Sequence, residues 1–258
     1  MMEKALYYAS FGLGLALAVA CSLNVGKTKG LSRRDAASFT VTGFLSGVLG
    51  AVLMAQVYNA VVRAVAPGAA FSPSYASLYG GLLLVPALIL IPVRLMKADF
   101  GAVLDTCAAG VYLLLGAAKL GCFSYGCCYG IDCAFGTVNR FTGTRTFPVQ
   151  PLETAVSFAV AALLWAVSTG RIGKGRRLPG GAYPLGLVLY GTARFFLQFL
   201  RAHEVAAEAD LIGFLDLWQI VSCIAVLTGA AWLAVLVRSR GRSGEADGTA
   251  AERQTQNR

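Results

Sequence analysis

Charge is scarce in this chain. Only 14% of its 258 residues are Asp, Glu, Lys or Arg, where soluble domains carry about 25%. Histidine is scarcer still: His203 is the single example, so any imidazole chemistry rests on that residue. There is no Cys-x-x-Cys pair, the usual mark of a dithiol redox centre. Nor does any apolar stretch alternate at period two over the ten or so residues a membrane barrel strand needs. Helices are then the backbone that can satisfy its own hydrogen bonds in lipid.

What fills the chain is apolar: 57% of the residues are hydrophobic. Crossing the hydrocarbon core takes roughly 20 mostly apolar residues, and seven windows meet that test. They run at about 5–25, 37–62, 77–95, 100–118, 152–168, 182–200 and 215–237, with Lys97 and Asp99 separating the third from the fourth. The expected fold is an all-α membrane bundle of about seven helices. Residues 1–237 form the membrane domain, and 238–258 form a polar, basic tail expected to be disordered. Lys4 and the Ala18-Val19-Ala20-Cys21 stretch look superficially like a secretion signal with a cleavage box. A long apolar run followed by a basic cluster reads better as a first span.

The net charge of +9 raises the question of nucleic acid, and its placement answers it. Basic residues gather at alternate connections: Lys27, Lys29, Arg33 and Arg34, then Arg94 and Lys97, then Arg171, Lys174, Arg176 and Arg177, then Arg238, Arg240, Arg242, Arg253 and Arg258. The positive-inside rule puts these connections in the cytoplasm, the amino terminus outside and the carboxyl terminus inside. Their partners are anionic membrane lipids, with no nucleic acid.

The outside connections then hold the candidate chemistry. One spans about Ala64 to Ala76, with Pro67, Gly68 and Pro73. Another, Lys119 to Pro151, is the longest, and a third carries Arg201, His203, Glu204, Glu208 and Asp210. Lys119, Glu153 and Arg194 are ionisable residues at that same side, where charge in a span is costly and marks sites; Asp105 lies nearer the cytoplasmic end. Arg194 and Arg201, seven residues apart, read as one helix face two turns long. Two guanidiniums so placed suit a phosphate. Arg194 paired with Glu153 and Arg201 reaching outward to the interface is the structural alternative.

Cys122, Cys127, Cys128 and Cys133 follow no standard zinc spacing, and adjacent cysteines rarely chelate one metal, so neither metal nor cofactor is expected. Packing or structural disulfides and a site role are the leading readings for them, with redox or metal use behind. Gly116, Gly121, Gly126 and Gly130 recur at spacings that permit close helix packing or close approach to a ligand.

GCFSYGCCYG, followed by PVQPLE, YGTARFFLQFLR and Trp218-Gln219, resembles the bacterial prolipoprotein diacylglyceryl transferase family. Tyr79-Gly80-Gly81 and DTCAAGVYLLLGAAKLG from Asp105 fit the same pattern in the same order, so the resemblance covers about residues 75–235. It implies an enzyme of the bacterial cytoplasmic membrane that moves the diacylglyceryl group of phosphatidylglycerol to the lipobox cysteine of a secreted lipoprotein precursor. By the same resemblance, Arg194, Lys119, Tyr79 and Glu153 are candidate catalytic residues, and Arg201, Gln150, Gly121, Gly126 and Gly80 candidate substrate-binding ones. The departures are concrete. Lys119 stands where the family has arginine, Cys122 and Tyr125 replace asparagines, and Cys127 replaces a glutamate. Tyr79 and Phe147 replace histidines. Two other functions compete: a membrane thiol or disulfide carrier using Cys127 and Cys128, and a non-catalytic phospholipid-binding protein on the same scaffold.

Overall fold

A computed structural model describes residues 2–65, 78–140, 142–172, 178–202 and 215–256. Among these residues lie seven helices: α1 (Met2–Thr28), α2 (Arg33–Val65), α3 (Leu78–Leu95), α4 (Phe100–Tyr125), α5 (Val149–Ser168), α6 (Ala182–Gln198) and α7 (Leu217–Gln256). Five of them, α1, α2, α4, α5 and α7, are long and apolar enough to cross a membrane; α3 and α6 are shorter. The chain is an all-α membrane bundle. The Pro67, Gly68 and Pro73 connection, the third connection's His203, Glu204, Glu208 and Asp210, and Lys174, Arg176 and Arg177 lie outside the described residues.

Small residues set the packing. Without a hydrophobic drive between helices in lipid, close backbone approach has to supply the contact energy. A Cβ on Gly80 would lie 2.1 Å from the Gly50 carbonyl oxygen, so α2 and α3 touch there backbone to backbone. Gly14 meets Ala117, and Gly121 meets Ser10 and Tyr7, which seats α1 antiparallel on α4. Leu13, Leu45, Leu49, Leu53 and Val57 on the outer faces of α1 and α2 are exposed, as lipid-facing side chains are. Asp99 caps α4, its carboxylate accepting from the Ala102 amide at 2.6 Å.

Asp105 has a structural duty. It is only 2% exposed and pairs with Lys29 at 2.7 Å. Its two oxygens also accept the Gly180 and Ala182 amides at 3.0 Å each, at the start of α6. One carboxylate thus ties the α1–α2 turn to the α6 amino terminus. Replacing Asp105 by Ala should cost about 3–5 kcal/mol, the loss expected when one partner of a buried pair is removed. A lowered thermal midpoint in detergent checks this.

Two expectations are corrected. α4 runs on to Tyr125, so Lys119 and Gly121 sit on its last turns rather than in a loop. The connection after it holds an antiparallel pair, β1 (Asp132–Val138) with β2 (Arg145–Thr146). The last helix, α7, spans Leu217–Gln256.

Candidate functional site

The starts of α3, α5 and α7 and the ends of α4 and α6 share one end of the bundle, because these neighbours pack antiparallel. A cluster of charged and polar side chains meets there around the buried Glu153. Its side chain is 0% exposed, an environment no lone carboxylate tolerates in its charged form. Three cations answer it. Lys119 Nζ lies 3.2 Å from Oε2, Arg201 Nη1 3.1 Å from Oε2, and Arg194 Nε 3.5 Å from Oε1. The Tyr190 hydroxyl donates to Oε1 at 2.7 Å.

Those cations come from three elements: the last turns of α4, the body of α6, and the turn beyond α6. Arg201 does not share the helical face of Arg194, since α6 ends at Gln198. Nor does it reach outward to the interface. Its side chain is 12% exposed and turned in to the carboxylate. A backbone bridge between Gly130 and Arg201 fixes this, helped by the Ile131 amide on the Leu200 carbonyl and the Ala202 amide on the Tyr129 carbonyl. The phosphate and ion-pair readings of the arginines therefore need not compete, because one carboxylate organises both.

The cluster has more positive charge than Glu153 can absorb. Lysine brings three N–H donors and each arginine five, against about four lone-pair sites on a carboxylate. Behind Arg194, its Nη1 donates to Gln198 Oε1, and Gln198 Nε2 donates to Asp216 Oδ2 at 2.6 Å. Asp216 in turn accepts the Gln219 amide at 2.7 Å. Even with Asp216 counted, cations outnumber carboxylates among the described residues. Such a site attracts an anion.

The remaining candidates divide. Tyr79 is buried, its ring 6.4 Å from that of Tyr190. Its hydroxyl is 2.6 Å from Ser222 Oγ, and Ser222 already donates to the Trp218 carbonyl. Tyr79 is therefore the donor in that pair, and its oxygen keeps lone pairs for an acceptor role. Gln150 is not at the cation cluster: its Nε2 holds the Cys127 carbonyl at 2.8 Å. Gly80 and Gly121 serve helix packing, and Gly126 ends α4 in the left-handed region with φ 90°. Sequence reading did not single out Tyr190, Gln198 or Asp216. The i, i+4 spacing of Arg194 and Gln198 was the available signal for one of them.

Beside the cluster, Cys122, Cys127 and Cys128 bring their sulfur atoms within 4.8 Å of one another. Hydrogen bonds from Cys122 and Cys127, then the charges of Lys119 and Arg201, hold the Cys128 thiol well below the ordinary thiol range, against the opposing effect of burial. None of the seven cysteines is in a disulfide.

An apolar cavity of about 350 Å³ opens among α1, α2, α3 and α4. Phe11, Leu15, Phe44, Val48, Val85 and Leu114 line it, and Gly81 and Ala118 bring it to the residues next to Gly80 and Lys119. The cavity thus reaches the two helices, α3 and α4, that carry Tyr79 and Lys119.

Comparison with known proteins gives a consistent answer. The sequence profile of the prolipoprotein diacylglyceryl transferase family matches residues 4–235. The chain is 24% identical over 250 residues to phosphatidylglycerol–prolipoprotein diacylglyceryl transferase 2 of Clostridium perfringens, covering 92% of each chain. It is 22% identical over 238 residues to the Clostridium tetani phosphatidylglycerol–prolipoprotein diacylglyceryl transferase, covering 86% of this chain and 89% of the relative. A Dehalococcoides mccartyi protein of the same name is 25% identical over 182 residues, 66% of this chain and 68% of its own.

Proposed function

The chain belongs to the prolipoprotein diacylglyceryl transferase family, and from that premise we propose that it transfers the diacylglyceryl group of phosphatidylglycerol to the cysteine thiol of a lipoprotein precursor. It is a multi-pass protein of the bacterial cytoplasmic membrane, and the reaction takes place at the outer face. The observation that carries the reading is the cation excess around Glu153, beside an apolar cavity.

In this reaction the substrate sulfur attacks the glyceryl carbon that bears the phosphate. The S–C bond forms, the C–O bond breaks, and glycerol phosphate leaves with the electron pair. The thiol proton goes to water or to the departing phosphate. Arg194, Arg201 and Lys119 supply preorganised donors to that phosphate, which is where such donors lower a barrier most. The same positive field favours the thiolate, the nucleophilic form. Glu153 is a poor base here, because three cations and Tyr190 already hold its oxygens. It is a positioning residue that gathers the cations. Tyr79, with lone pairs on its hydroxyl oxygen, can accept a hydrogen bond from the incoming thiol.

Purified protein in phosphatidylglycerol liposomes tests the reading, using a lipobox peptide and the same peptide with serine for cysteine. Glycerol phosphate release with the cysteine peptide alone supports transfer. Release with neither peptide, beside an active relative, would leave phospholipid binding without turnover as the function.

A further inference from the structure

We propose that Cys122, Cys127 and Cys128 form a binding site for one thiophilic d10 metal ion, of the Zn²⁺ or Cu⁺ class, held by three thiolates. The proposal does not rest on the transfer reaction, although Lys119 and Arg201 border both sites. It starts from a conflict: spacing argues against a metal here, because neighbouring cysteines rarely serve one ion, yet the structure converges all three sulfurs. Their mutual separations are all within 4.8 Å. Zinc–sulfur bonds near 2.3 Å place the sulfurs of a trigonal site about 4 Å apart, so a small adjustment of side chains closes the site.

The backbone explains how adjacent residues manage this. Cys128 sits at φ 58°, in the left-handed region that side chains other than glycine rarely adopt. A non-glycine residue held there points to a requirement on its direction. Here that conformation lets Cys127 and Cys128 share a centre with Cys122, one turn back on α4. Two side chains lock the turn from outside: Asn139 Nδ2 donates to the Gly126 carbonyl at 2.9 Å and Gln150 Nε2 to the Cys127 carbonyl at 2.8 Å. The adjoining Gly130 is bridged to Arg201. Three ligands on a braced turn form a prepared site rather than a chance encounter.

Charge fits as well. Three thiolates around a divalent ion leave one negative charge, and around a monovalent ion two. The charges of Lys119 and Arg201 both act on the Cys128 sulfur. Soft thiolate donors select Cu⁺ and Zn²⁺ over hard cations. A disulfide would use only two of the three thiols and strand the third.

The test is metal titration of the reduced, chelator-stripped, full-length protein in detergent. Zn²⁺ is added in air and Cu⁺ anaerobically, each against a chromophoric competitor. The expected result is one ion per chain for at least one of the two metals, bound at least tenfold more weakly in Cys122→Ser, Cys127→Ser and Cys128→Ser and unchanged in Cys133→Ser. Alkylation mapping on the unmutated protein guards against variants that fail to fold. Bound metal should shield those three cysteines from iodoacetamide and leave Cys133 as reactive as before. No stoichiometric binding of either metal, shielding that spares any of the three, or a disulfide among them in protein taken from membranes without reductant would each overturn the proposal.

Discussion

Replacing Arg194 by Ala is expected to lower glycerol phosphate release at least a hundredfold while the protein still inserts and purifies normally. Removing one preorganised donor from a developing oxyanion typically costs about 10²–10³ in rate. Arg194 donates more than charge: it contacts Glu153 and Gln198 together, with Asp216 behind, so its fork is held in one orientation. Arg194→Lys should therefore fall between wild type and Ala, keeping the charge and losing the fork. Headgroup binding to phosphatidylglycerol should weaken less than turnover, because the interaction strengthens as the phosphate leaves. Full activity in Arg194→Ala would remove this residue from the mechanism.

Glu153→Ala should have the largest effect on the fold. It leaves Lys119, Arg194 and Arg201 facing one another, and it leaves the Tyr190 hydroxyl without its buried acceptor. Breaking a buried pair from one side costs about 3–5 kcal/mol, and here three pairs break at once. The expected outcome is poor accumulation in the membrane, or a sharply lowered thermal midpoint in detergent. Glu153→Gln keeps an acceptor oxygen of the same shape and separates structure from chemistry. It should fold better than Ala yet lose activity, because the cations no longer converge. A Glu153→Gln protein as active as wild type would show that the carboxylate charge is not what gathers them.

The bundle could be read from the sequence because lipid imposes one rule, a long apolar run, and five of the seven described helices obey it while α3 and α6 are shorter. The last turns of α4 escaped it. Lys119 to Tyr125 opens the glycine- and cysteine-rich stretch that runs on to Gly130, and its own residues become helix because Gly121 packs on Ser10 and Tyr7 of α1. That support is tertiary and leaves no mark in the local pattern. The β1–β2 pair was hidden for a similar reason, since β2 has only two residues, Arg145 and Thr146. At the site, Lys119, Glu153, Arg194 and Arg201 were legible because charge in a membrane is expensive enough to demand a purpose. Their geometry was not legible. Seven-residue spacing put Arg201 on the face of Arg194, whereas its position depends on a bridge to Gly130, a partner 71 residues away in sequence. Gly80, taken as a substrate contact, is spent on packing against Gly50. Tyr190 carries no local signal of its role, and only the folded chain shows its hydroxyl on Glu153. The cysteines carried the least readable message, because what joins them is the sign of one backbone angle at Cys128.

On the function proposed above, a cation cluster organised by Glu153 makes phosphatidylglycerol a diacylglyceryl donor for a cysteine. The mass of a lipobox peptide, measured after incubation with the protein in liposomes of phosphatidylglycerol with defined acyl chains, tests it most directly. The expected product is a peptide heavier by one diacylglyceryl group carrying those chains, with the added mass on the cysteine. An unmodified peptide, from folded protein under conditions where a relative completes the conversion, would contradict it.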